Sequence, residues 1–133
     1  MTRINVVDPS ELVDQHLLAE HRELTRIPND IVKRNGNVPL SKEPKYLLGA
    51  GHVTFFKDKL LFLKDRYDKL YNECIYRGFK VTYSWPDSVI MYKHLWNDYE
   101  PTLCDISLNR ERLKERMPVK PRYLGKPLII AEE

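Results

Sequence analysis

The sequence predicts an all-α fold, a single compact domain of three main helices joined by long irregular connections. Apolar residues recur at three- and four-residue steps in three separate stretches, the spacing that places them on one face of a helix. No stretch shows the alternation of apolar and polar residues that is typical of a strand. A chain of 133 residues is long enough for one hydrophobic core but not for two.

The first predicted helix begins at Asp8, a capping residue followed by Pro9 at the first helical position and Glu11 at the third. Because proline lacks a backbone donor, we expect this helix to end or bend at Pro28, with a second helical piece that continues to Arg34. At about 100° per residue, one arc of the helix is apolar. The residues on that core arc are Val13, Leu17, Leu24 and Ile27.

A different face of the same helix is polar and mostly basic. Gln15, Arg22 and Arg26 lie on it, with His16 and Glu23 at its edge. Taken alone, Glu23 and Arg26 are better explained by an exposed ion pair worth less than about 1 kcal/mol than by a catalytic role, and His16 is better explained by packing or capping. Glu20 lies on the apolar arc, so it is expected to be paired or to border a site.

The segment between the first two helices predicts a turn, an extended stretch and a buried block. Residues 35–37 form the turn, and prolines keep residues 38–45 extended. Residues 47–56 are apolar with two glycines, which predicts close packing under the first helix. His52 within this block is interpreted as a buried, hydrogen-bonded histidine.

The second predicted helix has the clearest apolar stripe, from Phe56 to Cys74, and Gly78 is a natural residue to follow its end. Cys74 lies on the stripe and is interpreted as a packing residue. Residues 80–101 are irregular. Trp85 and Trp96 within them are expected to cover the core rather than to stack on bases.

A third helix is predicted to be capped by Asp105 and to end at residues 117–118, followed by a proline-interrupted, extended tail that finishes in the apolar residues 128–130. Its apolar face holds Ile106, Leu113 and Met117. Arg112 and Arg116, four residues apart, share another face.

Charge is unevenly distributed along the chain. The net charge is +3, but residues 106–126 hold seven basic and two acidic residues, which gives this segment a charge of +5. Such a segment suits phosphate binding, and a solvated helix face explains it equally well. No apolar run approaches the length of a membrane span, no signal-peptide pattern is present, and the two cysteines lack metal or redox spacing. We therefore expect a soluble, cytoplasmic protein with reduced thiols.

Four blocks of the sequence form a recognisable pattern. The first is Met1-Thr2-Arg3-Ile4-Asn5 with Ser10-Glu11-Leu12 and Asp14-Gln15-His16-Leu17, the second is Leu48-Gly49-Ala50-Gly51-His52-Val53-Thr54-Phe55-Phe56, the third is Arg77-Gly78-Phe79, and the fourth is Arg112-Leu113 with Tyr123-Leu124-Gly125-Lys126. Together they resemble the pyrimidine-dimer DNA glycosylases and AP lyases of the T-even bacteriophage endonuclease V type. The first two blocks are specific and the last is weak.

The resemblance implies a repair enzyme that uses the α-amine of Thr2 as nucleophile and the Glu23 carboxylate as the second catalytic group, with no cofactor and no metal. The amine would form a Schiff base at a cyclobutane pyrimidine dimer, followed by β-elimination. Implied partners are double-stranded DNA with pyrimidine dimers or abasic sites, and a monomer is expected. The implied DNA-binding residues are Arg3, Gln15, His16, Arg22, Arg26, Arg112, Arg116 and Lys126.

The chemistry of an α-amine suits this role. Thr2 is small, so Met1 is expected to be removed by ordinary aminopeptidase processing. With a pKa near 7.8, roughly a quarter of an α-amine is neutral at pH 7.4, against about a thousandth of an ordinary lysine. The like charge of Arg3 would lower that pKa further.

The tail departs from the family pattern, because only Tyr123 remains of an aromatic-rich run. Each base stacked on an aromatic ring is worth about 1–3 kcal/mol, so this departure bears more on lesion preference than on the amine chemistry. Two alternatives stay open. One is a lyase that prefers another damaged base, and the other is a non-catalytic module that binds or bends damaged DNA.

Overall fold

The computed structural model describes residues 2–40, 45–46 and 51–127, and within them the fold is all-α, as predicted. Short 3-10 turns and one small hairpin supplement the helices. The α-helices are α1 (Asp14–Leu24), α2 (Arg26–Lys33), α3 (His52–Phe56), α4 (Leu60–Tyr76) and α5 (Leu103–Glu115); the 3-10 turns are Pro9–Glu11, Asp87–Met91 and Lys93–Leu95; the strands are β1 (Arg122–Tyr123) and β2 (Lys126–Pro127).

The first predicted helix is divided into three pieces, so its predicted continuity from Asp8 was wrong. Asp8 does cap and Pro9 does open a helical turn, but that turn is 3-10 and ends at Glu11. Leu12 then turns into the core in an extended conformation, and α1 begins afresh at Asp14. The carbonyl groups of Pro9 and Ser10 have a hydrogen-bond partner at this break, because the Arg77 guanidinium donates to both, at 3.2 and 3.4 Å.

The break near Pro28 was predicted, but it falls three residues earlier, at Thr25. Pro28 has no N–H to give to the Leu24 carbonyl, so the hydrogen-bond ladder is interrupted there. The helix resumes at once as α2 and continues to Lys33, capped at Arg34, which confirms the second helical piece. All four predicted core residues of this region, Val13, Leu17, Leu24 and Ile27, are buried.

The second predicted helix starts later than expected, at Leu60 instead of Phe56. Residues 57–59 separate α3 from α4: Lys59 leaves helical geometry and makes an isolated β-bridge with Trp96. Its end was predicted correctly, since Gly78 adopts a left-handed φ of 85° and the Phe79 N–H donates to the Cys74 carbonyl at 2.9 Å.

The third helix and the tail both differ from prediction. Helix α5 ends at Glu115, before the predicted end at residues 117–118, so Met117 lies beyond it. Thr102 caps α5, and Asp105, the predicted cap, is instead the third helical residue of a capping box with Thr102. The tail is not simply extended, because β1 and β2 form a hairpin in which Arg122 pairs with Pro127 and Tyr123 with Lys126. Its two turn residues, Leu124 and Gly125, both have positive φ, as a two-residue hairpin turn requires.

The core lies between α1 and α4, with the irregular segment packed over one side. Trp85 is buried, and the half-buried Trp96 donates its indole N–H to the Val89 carbonyl at 3.1 Å, so the packing interpretation of both is confirmed. No helix in the described ranges is both long and apolar enough to cross a membrane. The predictions for residues 41–44, 47–50 and 128–130 lie outside the described residues.

Candidate active site

The first residues of the chain form an extended segment, residues 2–7, whose backbone is held by side chains instead of by a neighbouring strand. Arg3 N–H donates to Glu23 Oε1 on α1 at 3.1 Å. Ile4 N–H donates to His52 Nε2 on α3 at 2.8 Å, so this histidine nitrogen is unprotonated and the predicted buried, hydrogen-bonded histidine is confirmed. Five consecutive amides are satisfied in this way, which fixes both the position and the rotation of the segment.

The next three amides of the segment bond to two buried side chains. Asn5 N–H donates to Glu20 Oε2 at 3.2 Å. The N–H groups of Val6 and Val7 both donate to Asn109 Oδ1 on α5, at 2.7 and 3.2 Å. Three helices that are distant in sequence therefore converge on the chain start.

A buried polar network lies beneath this segment and accounts for the charged residue on the apolar arc of α1. Glu20 accepts from Arg66 Nε at 2.8 Å and from Arg66 Nη2 at 2.9 Å, and Arg66 also donates to the Val7 carbonyl. Asn5 donates its side-chain amide to Glu20 Oε1 at 2.8 Å and accepts from Asn109 Nδ2 at 2.8 Å. A buried ion pair is tolerated when its remaining donors and acceptors are filled in this way.

A cavity of about 260 Å³ opens beside the segment. Two carboxylates, Glu20 and Glu23, lie on its wall together with basic and apolar side chains. The residues that line it are Arg3, Asn5, His16, Ala19, Glu20, Glu23, Leu113 and Arg116. This volume accommodates a small organic group.

Glu23 is the carboxylate nearest to the start of the chain. Its Oε1 accepts the Arg3 N–H, and its Oε2 lies 3.6 Å from Arg22 Nη2. Standard bond lengths keep the nitrogen of Thr2 within about 4 Å of the Arg3 nitrogen, and hence within about 7 Å of this carboxylate. The surface pair of Glu23 with Arg26, considered as an alternative, is not the pairing found, because Glu23 pairs with Arg22.

Positive charge surrounds this cavity. Burial lowers the pKa of the Arg3 guanidinium, and the like charges of Arg116 and Arg112 lower it further, while Glu23 opposes the shift. Arg112 Nε is buried without a hydrogen-bond partner among the described residues. Because Glu20 is already paired with Arg66, three guanidinium groups near Glu23 form a setting that favours a bound anion.

A family model described as pyrimidine dimer DNA glycosylase matches residues 1–87. The chain belongs to this family. Its substrate is therefore DNA, and the matched part of the glycosylase contains the chain start, α1 with Glu23, and α4 with Arg66. Helix α5 and the hairpin lie beyond the matched residues, so the contribution of Leu113 and Arg116 to the cavity comes from the structure alone.

Two predicted DNA-binding residues of the glycosylase, Gln15 and His16, make hydrogen bonds within the protein. Gln15 uses both ends of its amide on the tail: it donates to the Lys120 carbonyl at 2.7 Å and accepts the Arg122 N–H at 3.0 Å. His16 Nε2 lies 3.0 Å from the Arg116 carbonyl, which can only accept, so this nitrogen carries the proton. Both residues hold the C-terminal segment against α1, and their contact with DNA stays a prediction.

The remaining predicted binding residues, Arg22, Arg26 and Lys126, are exposed. Arg22 and Arg26 project near the junction of α1 and α2, and Lys126 lies on the hairpin. The hairpin turn is tied to α1, because Asp14 accepts the N–H groups of Leu124 and Gly125 at 3.1 and 2.7 Å. The structure thus brings Arg3, His16, Glu23 and Arg116 to one cavity, and the other predicted binding residues do not line it.

Three residues of the glycosylase site were missed by sequence reasoning: Asn5, Arg66 and Asn109. Each is buried and polar, and each acts through a contact between residues far apart in the chain. The sequence offered a weak signal for Arg66, because a charged side chain beside the buried face of a helix needs a partner. Among the described residues, no group of three or more His, Cys, Asp or Glu side chains is placed to hold a metal.

Proposed function

We propose that this glycosylase also has AP lyase activity and that the α-amine of Thr2 is its nucleophile. The observation that supports this most directly is the hydrogen bond from Arg3 N–H to Glu23 Oε1, which keeps the residue after Thr2 against a carboxylate that lines the cavity. An amine at this position needs Met1 to be removed, because an acylated nitrogen cannot form an imine.

In the proposed reaction the neutral amine attacks C1′ of the 5′ nucleotide of the dimer. The C1′–N bond breaks and the base leaves with the electron pair. The nitrogen then loses a proton, the C1′–O4′ bond breaks with its electron pair going to O4′, which takes up a proton, and the product is the protonated imine. Removal of a C2′ proton next expels the 3′ phosphate oxygen, which cuts the strand, and water hydrolyses the imine to free the enzyme.

Glu23 has two tasks in this scheme. Its negative charge stabilises the positive charge that develops on the sugar as the base leaves. It then accepts or relays the protons that the imine and elimination steps release. Its half-buried position and its hydrogen bond to the Arg3 amide keep it oriented for both tasks.

The cations around the cavity are proposed to bind the DNA backbone. Arginine suits phosphate because its planar fork reaches two oxygens at once. Arg3 and Arg116 line the cavity itself, while Arg22, Arg26, Arg112 and Lys126 would hold the flanking backbone. Gln15 and His16 would contribute only from the faces that the tail leaves open. Bending of the DNA and flipping of a base opposite the lesion, which the resemblance implies, would cost less at an already distorted lesion.

Borohydride trapping tests the proposal. Purified protein is incubated with a duplex that contains a pyrimidine dimer or an abasic site, and the reductant fixes any imine as a covalent adduct. We expect an adduct with protein whose intact mass shows that Met1 is absent, and none with a variant that has extra residues before Thr2. Tight binding to the lesion without adduct or nicking would instead indicate a damage-binding module, and an adduct at abasic DNA alone would indicate a lyase with a different lesion preference.

A further inference from the structure

We propose that Asn109 is a positioning residue for the nucleophile, an inference that rests on the proposed function. Asn109 is 1% exposed on α5 and touches the chain start with both atoms of its amide. Its oxygen accepts from Val6 and Val7, and its nitrogen donates to Asn5 Oδ1 at 2.8 Å. It therefore fixes three consecutive residues of the segment that ends at Thr2.

The contact is relayed toward the carboxylates on α1. Asn5, held by Asn109 on one side, donates twice to Glu20 on the other. Glu20 precedes Glu23 by three residues, so the two carboxylates lie on the same face of α1. Asn109 thereby sets the register of the chain start against the face that carries the proposed catalytic carboxylate.

The same face of α5 carries the cations of the cavity. Arg112 and Arg116 follow Asn109 by three and seven residues, spacings that repeat on one side of a helix. The cavity is lined by Arg116 and Leu113 of this face. A helix that docks on the DNA backbone through these arginines would also hold the amine in register with the lesion through Asn109.

Loss of this contact would misplace the amine without removing any group that touches DNA. With Asn109 absent, the amides of Val6 and Val7 lose their acceptor, while Arg3, Ile4 and Asn5 keep theirs. The bonds of Arg3, Ile4 and Asn5 keep the segment in place, so we expect the loss of the anchor at Val6 and Val7 to shift the terminus only slightly. A displacement of about 1 Å at the reacting atom can cost about 100-fold in rate.

The test compares Asn109→Leu, similar in volume but without polar atoms, with two controls. Val89→Ala removes buried volume from the 3-10 turn Asp87–Met91, away from the chain start. It controls for any loss of stability that Asn109→Leu causes. Ser107→Ala changes an exposed position on α5. Asn109→Ser, which keeps a hydroxyl acceptor, is the second variant should the leucine fail to fold, and it is expected to lose less activity than leucine.

Trapping rates are measured with abasic duplex at saturation, alongside the dissociation constant for the same duplex. We expect Asn109→Leu to lower the trapping rate about 10- to 100-fold while the dissociation constant changes by less than about twofold, with both controls near wild type. Amide hydrogen exchange of the N-terminal peptide should rise in Asn109→Leu and not in Val89→Ala.

A wild-type chain that forms no adduct would overturn the proposed function and this inference with it. A wild-type adduct with an unchanged rate for Asn109→Leu would overturn the inference alone. So would an equal loss of rate in Val89→Ala, since the effect would then follow stability instead of position.

Discussion

Glu23 is held from two sides, and this determines what its substitution should reveal. The Arg3 amide donates to one oxygen, and the Arg22 guanidinium lies near the other. A glutamine at this position retains an oxygen that can accept the Arg3 N–H but has no charge. The change from glutamate to glutamine therefore separates the electrostatic role of the residue from its structural one.

We predict that Glu23→Gln leaves the dissociation constant for dimer-containing duplex within about threefold of wild type but lowers strand cleavage by about 100-fold or more, the scale seen when one stabilising group is lost. The measurements are fluorescence anisotropy for binding and gel analysis for nicking. Glu111→Gln, an exposed carboxylate on α5, is the control and should cut normally. Unchanged nicking by Glu23→Gln would remove the carboxylate from the mechanism.

His21 is a second residue whose surroundings determine a measurable property. It is 1% exposed, and neither ring nitrogen has a hydrogen-bond partner among the described residues. The rings of Tyr67, Tyr71 and Tyr83 lie 5.3, 6.3 and 6.4 Å from its own. Burial lowers the pKa of His21, so the folded protein holds this ring neutral.

This burial predicts a loss of stability in mild acid. The unfolded histidine has a pKa of about 6.5, so below that pH the unfolded chain binds a proton that the folded chain does not. The free energy of unfolding should therefore fall as the pH drops through about 6.5, by about 1 kcal/mol per pH unit, until the lowered folded pKa is reached. Urea unfolding at pH 7.5 and pH 5.5 measures this fall in the free energy of unfolding.

The matched variants for that measurement are His21→Phe and His94→Gln. Phenylalanine fits the ring-lined site and cannot titrate, so His21→Phe should remove most of the decline between the two pH values. His94 is exposed, and its replacement should leave the decline in place. A decline of equal size in wild type and His21→Phe would assign the acid sensitivity to other groups.

At the scale of elements, the sequence predicted where helices exist better than where they begin. Apolar spacing identified the stripe of α4 and the buried residues of α1 because periodicity is a property of neighbouring residues. It misplaced the starts of α1 and α4, because Leu12 and Lys59 take extended or irregular geometry to satisfy contacts with distant parts of the fold. The hairpin was missed for the same reason, since Asp14, more than 100 residues away, holds its turn.

Two glycines that follow helices allow one element-level prediction. Gly36 and Gly78 both have left-handed φ values, 80° and 85°. A Cβ on Gly36 would lie 2.5 Å from Cδ1 of Tyr92, whereas a Cβ on Gly78 would meet nothing within 4 Å among the described residues. An L-residue at either position would have a strained backbone. At position 36 its Cβ would also clash with the segment around residue 92, which packs against the end of α2.

We therefore expect Gly78→Ala to lower the free energy of unfolding by about 1–2 kcal/mol, the cost of a left-handed residue. Gly36→Ala should lower it by a further 1–3 kcal/mol or so, the usual range for overpacking. Chemical denaturation of both variants gives the comparison. Equal losses would mean that the Tyr92 ring moves aside at little cost.

At the scale of the whole molecule, the site is assembled from the two ends of the chain. The amides of residues 3–7 bond to side chains between 15 and 103 positions away. Spacing within the sequence cannot reveal such bonds, which is why Thr2, Arg3 and Glu23 were accessible through family resemblance while Asn5, Arg66 and Asn109 were not. The family match also ends at residue 87, before α5, so the structure alone joins Arg116 to the cavity.

This assembly predicts which cations dominate the salt dependence of DNA binding. Arg116 lines the cavity and lowers the pKa of Arg3, so its charge acts at the site. Arg110, on the same helix, instead makes an exposed double contact with Glu11, at 3.1 Å for each pair of atoms. The two arginines share a helix and a charge but differ in what they face.

We expect Arg116→Gln to reduce the slope of log K against log salt by about one unit, the value for one phosphate contact, and Arg110→Gln to leave the slope nearly unchanged. Binding is measured by anisotropy from about 50 to 200 mM salt, with undamaged and dimer-containing duplexes. The loss of a phosphate contact should weaken binding to the two duplexes equally. Equal reductions by the two variants would show that binding follows the total charge of α5. The DNA would then bind to a broad basic surface, and the cavity would not be the place where the DNA backbone is bound.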